Sequence, residues 1–467
     1  MSTKFRQQLR QEAEQWWKDG WIDAALYQRL SDRYEFTEIE PSASGRFVAI
    51  LLGLGGILLG LGVITFVAAN WQDWPRSFRV CLLMALFIGV NAAGFYLWRR
   101  PAGQKGLQRL GHGLLLTGGL ALGANMALMS QMFHQSGEAY ELYFFWGLGV
   151  TLMAYSLRLT SLGVLAWALL AISYGNWWFT DLFSSQTGGL STVMGFMALI
   201  GCGLFVPLAY RCRSRVLFTL AGIGFAISFT WGLLPATDTW TGLIAIALLL
   251  PPALLWAYAP AIWRFAPSTN PLSVDRFQPI ARSLTIWHLA FVLYAFAFNE
   301  IWPGLREIGT GSFSGIGWYW ELPVFTVLTG LGWIRLRHQL KDWSPLQEQS
   351  VNTGAVAVFL ILSAALFSWH IFIGDITILA TFLFNIMLFL LAIALLRDGL
   401  ALGKRRTFWG GMSLLVLGLL TRLFEYNTDL MLKSFVLVLC GISVIAAGLW
   451  FERHLHPSSN SSQMPGS

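Results

Sequence analysis

About fourteen apolar runs, each close to the length of a bilayer-crossing helix, follow one another from Arg46 to Phe451 with short polar segments between them. No motif in the chain constrains its fold as strongly. A helix needs about 20 residues to cross the hydrocarbon layer, and in lipid the backbone N–H and C=O groups must find their partners within the segment itself. The runs are Arg46–Ala69, Phe78–Trp98, Gly111–Phe133, Ala139–Ser156, Leu159–Phe179, Leu190–Tyr210, Ser214–Leu233, Thr239–Ala259, Ser283–Ile301, Trp318–Ile334, Val351–Trp369, Gly374–Leu396, Thr407–Tyr426 and Met431–Phe451. They predict an all-α, polytopic transmembrane helix bundle.

Composition agrees with lipid as the solvent. Charged residues make up 12% of the chain, against about 25% in soluble domains, and the 23 tryptophans suit the membrane interface. The net charge of +7 is spread singly or in small groups between the runs. That is the pattern of cytoplasmic loops, and no basic stretch interleaved with aromatics is long enough to follow a nucleic acid. With the N-terminus inside and the runs alternating, roughly 19 Lys and Arg fall in inner loops and 5 at outer positions. Both termini are therefore expected in the cytoplasm.

Residues 1–45 are polar and amphipathic. The reading is no cleavable signal peptide, the first apolar run serving as an uncleaved anchor, and a short cytoplasmic helical hairpin before it. Phe5, Leu9, Ala13 and Trp16 form one stripe, Asp19-Gly20 a stop, and Asp23 a cap for a second stripe of Leu26, Tyr27, Leu30 and Tyr34. Residues 46–259 then hold the first part of the bundle, about eight helices. A Pro-rich cytoplasmic loop follows at 260–282, the second part of about six helices at 283–451, and a Ser/Pro-rich tail at 452–467.

Gly56/Gly60 and Gly119/Gly123 make GxxxG spacings, which bring helix backbones together within one chain or between two. The four cysteines, Cys81, Cys202, Cys212 and Cys440, have no metal-like or CxxC spacing. No nucleotide-binding loop, HExxH, GxSxG or metal set occurs, so neither catalytic residue, metal nor cofactor is assigned.

Ionisable groups inside spans are expensive, and so are the best functional pointers. They gather at the outer ends of the runs. Arg422 and Glu425, followed by Asp429 and Lys433, share one helix face at i,i+3. An ion pair on one helix explains them; a phosphate or carboxylate site on the guanidinium is the rival reading. Gln131, His134, Glu138 and Glu141 bracket the turn between the third and fourth runs, and Asn70 and Trp71 follow the first run. Asn299, Glu300, Glu321, His370 and Asp375 belong to the same side, while the lone His288 reads as satisfied within the bundle.

The stretch Trp16-Trp17-Lys18-Asp19-Gly20-Trp21-Ile22-Asp23, the Gly-rich run ending Ala68-Ala69-Asn70-Trp71, and Gln131-Met132-Phe133-His134-Gln135-Ser136-Gly137 together resemble a bacterial predicted-membrane-protein family, domain of unknown function 2157. The resemblance runs from about Leu9 to Trp178, and more loosely over Arg422 to Glu452. It implies a multi-pass protein of the bacterial cytoplasmic membrane and carries no activity, substrate or catalytic residue.

Three functions remain open on the sequence. One is a transporter or flippase-like carrier of an amphipathic anionic substrate, suggested by the helix count, the Gly-rich spans and the polar outer rim. Another is a sensor or assembly factor whose N-terminal hairpin docks a cytoplasmic protein. The third is an intramembrane enzyme, which would need Glu138 and Glu425 within reach of one substrate. Membrane lipid is the expected surroundings in each, and no nucleic acid partner is expected.

Overall fold

A computed structural model of the chain describes residues 3–34, 65, 69–101, 105–134, 137–183, 189–233, 242–258, 277–307, 321–341, 348–425 and 429–455. Among them every regular element is an α-helix. The chain divides into two compact units, Met1–Leu86 and Phe87–Ser467.

In the first unit, α1 (Thr3–Lys18) stops where Gly20 takes φ +74°, a conformation glycine enters without a Cβ penalty. Asp23 Oδ1 then accepts the Leu26 N–H at 2.8 Å and starts α2 (Ala24–Tyr34), which packs back on α1 with Trp17 stacked on Tyr27. Residues 35–64 and 66–68, which carry most of the first predicted run and Gly56/Gly60, lie outside the described residues. After Asn70 the turn is closed by Arg79, whose guanidinium donates to the Gln72 and Trp74 carbonyls at 2.9 Å and lies over the Trp71 ring.

Arg79 belongs to α3 (Arg76–Trp98), which leads into the second unit. There follow α4 (Lys105–Met132), α5 (Ala139–Leu157), α6 (Thr160–Phe183), α7 (Gly189–Met194), α8 (Met197–Cys212), α9 (Arg215–Leu233), α10 (Leu243–Trp256), α11 (Gln278–Phe296), α12 (Ile301–Glu307), α13 (Glu321–Lys341), α14 (Glu348–Phe372), α15 (Thr377–Ala401), α16 (Arg405–Glu425) and α17 (Leu430–Leu455). Among the described residues eight helices are long and apolar enough to cross a membrane: α3, α4, α6, α9, α11, α14, α15 and α16. Their outward surfaces carry Ile361, Ile378 and Phe382, an apolar coat that water would not tolerate over such an area.

The expectation of about fourteen continuous spans is corrected at one place by the fold itself. The predicted run Leu190–Tyr210 is two helices, not one. The short α7 ends at Gly195 and Phe196, whose N–H groups turn back to the Ser191 and Val193 carbonyls, and α8 starts afresh at Met197. Ser, Thr and Gly around the break are weak helix formers. α8 and α10 are apolar but short, α5 and α13 reach spanning length outside the eight, and α17 has only Lys433–Ala446 as a shorter apolar stretch.

One core joins α4 to α9, with Val150, Leu162, Leu208 and Leu217 wholly buried. The Gly119/Gly123 notch belongs to it. Trp146 of α5 fills the notch, its indole N–H donating to the Gly119 carbonyl at 2.7 Å, and a Cβ on Gly123 would stand 2.2 Å from the ring. This spacing serves contact within the chain.

A second core joins α10, α11, α12, α14 and α15 around Trp302, Phe296, Phe367 and Phe384. α10 carries Pro251 and Pro252, which supply no N–H to the carbonyls four residues earlier, Ala247 and Leu248. Thr230 Oγ1 takes the Ala247 carbonyl at 2.9 Å, and His288 Nε2 the Leu248 carbonyl at 3.0 Å. His288 is satisfied inside the bundle, as expected, and its task is to replace a missing backbone donor.

Candidate functional site

Close backbone approach between α15 and α16 positions the site. Gly399 lies where a Cβ would stand 2.5 Å from the Phe408 backbone nitrogen, and Gly411 where it would stand 2.8 Å from the Ala392 carbonyl oxygen. Gly403, at φ +60°, makes the turn between the two helices. The far ends of the pair then bring Arg422 and Glu425 of α16, with Thr381 and Asn385 of α15, to the C-terminus of α11.

A helix C-terminus offers carbonyls without intrahelical partners. Ala297, just past the end of α11, has its carbonyl taken by Arg422 Nη1 and by Asn385 Nδ2, the latter at 3.0 Å. Glu425 Oε1 accepts the Asn299 N–H at 3.1 Å, and its other oxygen pairs with Arg422 Nη1. The Phe298 ring sits 4.2 Å from the guanidinium carbon. Thus the ion pair expected from i,i+3 spacing exists, and it also clasps residues 297–299.

The two side chains are 14% and 13% exposed. Among the described residues Arg422 Nε and Nη2 are buried without a hydrogen-bond partner, as are Asn385 Oδ1 and Thr381 Oγ1. Nε and Nη2 form one edge of the guanidinium fork, the edge that matches two oxygens of a carboxylate or phosphate. A second polar knot lies in the same core. His370, fully buried, has Nε2 2.9 Å from the Trp302 carbonyl, while Nδ1 receives the Ile376 N–H at 3.4 Å and stands 3.5 Å from Asp375.

Among the described residues none of Gln131, His134, Glu138 and Asp429 is a hydrogen-bond or ion-pair partner of Arg422. Gln131 and His134, at the end of α4, and Glu138, before α5, are exposed. α4 packs on α5 and α6, whereas α16 packs on α15 and α17. Glu138 and Glu425 therefore lie on helices that pack in different groups. Asp429 is exposed beyond the end of α16. Asn70 and Trp71 lie in the first unit, in the turn that Arg79 closes. Among the described residues no group of three His, Cys, Asp or Glu side chains could hold a metal ion.

Sequence reasoning missed Asn385 and Thr381. A signal was available: Asn385 interrupts the apolar run Gly374–Leu396, and a lone amide in hydrocarbon requires a partner.

Residues 14–163 match a family model described as "Predicted membrane protein (DUF2157)". This is a membrane protein with a DUF2157 region. No curated relative and no solved structure matches the chain. The DUF2157 region begins within α1 and ends early in α6. It holds Asn70, Trp71, Gln131, His134, Glu138 and the Trp146 notch. Arg422, Glu425 and Asn385 lie beyond it.

Proposed function

We propose that this membrane protein is a carrier, of transporter or flippase type, for an amphipathic anionic substrate whose anionic group is taken by Arg422. One observation carries the reading: the Nε–Nη2 edge of a nearly buried guanidinium has no hydrogen-bond partner among the described residues. A buried donor pair left unmade is costly, and an incoming phosphate or carboxylate satisfies both groups at once. Glu425 holds the charge in balance while the site is empty, and the clasp on residues 297–299 opens or shifts as the anion arrives.

The test is movement of a fluorescent phosphatidylglycerol across proteoliposome membranes containing the full chain, with phosphatidylcholine as the neutral comparison. Arg422→Gln is expected to slow the anionic lipid at least about tenfold, the loss of a charge-assisted pair, while Arg422→Lys recovers only part of the rate. Equal rates for wild type and Arg422→Gln would overturn the reading, as would transport that ignores headgroup charge.

The same reading places about fourteen spans in the bacterial inner membrane with both termini cytoplasmic. It draws on the inward bias of Lys and Arg and on the shorter apolar helices beside the eight long ones. Topology reporters fused after Gly137 and after Lys404 are expected to report opposite compartments. A shared compartment rejects the map.

A second reading has its own observation. Trp21 is 79% exposed and Trp17 48%, an aromatic surface on α1 and the turn after it suited to docking a cytoplasmic protein. In the proteoliposome assay, removal of residues 1–34 leaves transport unchanged if the protein is a carrier. A sensor or assembly factor shows no transport in either form.

A further inference from the structure

Glu321, the first residue of α13, lies far from Arg422 in sequence and in a different contact set. Its side chain is buried, and one oxygen accepts the Leu199 N–H at 2.9 Å, with Ala198 N–H as a second donor. Ala198 and Leu199 are in the first turn of α8, directly after the break that interrupts the predicted span Leu190–Tyr210. Around this contact the packing is apolar: Ala198, Phe225, Phe229, Leu233, Ala247 and Phe325 form one buried cluster.

A carboxylate in such surroundings needs a counter-charge. Among the described residues no basic side chain pairs with it. The titratable groups facing it are Tyr174 of α6 and Cys202 of α8, both neutral when protonated. Tyr174 has already committed its hydroxyl proton to the Ser228 carbonyl, at 3.0 Å. α10, which packs on α13, carries no charged residue between Leu243 and Trp256, and the one charge on α9 is Arg215 at its opposite end. What remains is the partial positive charge of two helix N-termini, α8 and α13 itself, each equivalent to roughly half a charge. Burial penalises the anion while these two dipoles favour it. Opposed influences of this kind leave a carboxyl able to take up and release a proton.

We propose that Glu321 is a reversible proton-binding site set against the helix break. A carboxylate accepts from N–H groups more strongly than a protonated carboxyl does. Proton uptake therefore loosens the hold of α13 on the start of α8, at the point where the helix is already divided. The inference does not depend on the carrier reading, and it would supply such a carrier with a means of coupling to protons.

Infrared difference spectroscopy of the full chain in liposomes tests it, with the medium taken from about pH 8 to about pH 5, a range that lies above the one in which ordinary carboxyls titrate. A carbonyl stretch of a protonated carboxyl in an apolar setting is expected to grow in as the pH falls. It should be lost in Glu321→Gln and kept in Tyr174→Phe. Superimposable spectra for wild type and Glu321→Gln would overturn the proposal, and so would a band already present in full at the high-pH end. If Glu321→Gln does not insert as a monodisperse protein, Glu321→Asp replaces it: a shifted band supports the assignment and an unmoved one rejects it. Transport plays no part in the measurement, so failure here leaves the Arg422 site standing, and failure there leaves Glu321.

Discussion

Trp302→Ala is expected to be among the most destabilising single truncations in the chain, at about 3 kcal/mol, the low end of the range for an aromatic removed from a packed core. Trp302 is fully buried, stacks on Phe367 and meets Phe296, Phe384 and His370 edge-on. Its indole N–H donates to the Phe296 carbonyl at 2.9 Å. Lipid is as apolar as this interior, so the transfer gain that dominates in water is largely missing. The cost comes from lost dispersion contacts, the cavity and the unmade hydrogen bond. Thermal unfolding in detergent is the measurement, with Trp302→Phe as the comparison. The phenyl ring keeps much of the stacking and loses the N–H, and should recover more than half of the loss. A Trp302→Ala protein as stable as wild type would mean that this core is not formed around the indole.

The second large effect is an asymmetry at the ion pair. Glu425→Ala leaves the Arg422 guanidinium nearly buried with only the Ala297 carbonyl and the Phe298 ring for company. Breaking a buried pair on one side costs about 3–5 kcal/mol, because a full charge stays behind. Replacing both partners together, as in Arg422→Met with Glu425→Leu, removes the charge and its neighbour at once and is expected to cost far less. The same unfolding assay on the two single variants and the double variant decides the matter. Additive losses would show that Arg422 and Glu425 act separately and that the clasp on residues 297–299 contributes little.

The pair itself was legible in the chain, since i,i+3 spacing places two side chains on one helix face whatever the fold. Its neighbours were not. Nothing local links Arg422 to Ala297, 125 positions away, or shows that Asn385 shares the same carbonyl. Gly399 and Gly411 explain how this happens: only without side chains can α15 and α16 come close enough to bring their ends to α11. Conversely, Gln131, His134 and Glu138 looked equally promising as polar residues at a helix end, yet they are exposed. Polarity at the rim of a membrane protein is inexpensive, and its position alone does not select a site.

Pro251-Pro252 divides what the sequence determines from what the tertiary structure decides. From the sequence alone, two prolines in an apolar helix leave two carbonyls without backbone donors, and hydrocarbon makes that intolerable. The need is local and can be read directly, as can the succession of apolar runs and the uneven share of Lys and Arg between alternate loops. Which groups meet the need is settled by packing. Thr230 and His288 come from helices on either side of α10 in the chain, and they reach it only because α9 and α11 both pack against it. The break before α8 follows the same rule. Weak helix formers permit it, but it becomes useful only where α13 brings Glu321 to the exposed N–H groups. Periodicity and composition act over a few turns of one helix, whereas partners for buried polar groups depend on contacts between helices far apart in the chain.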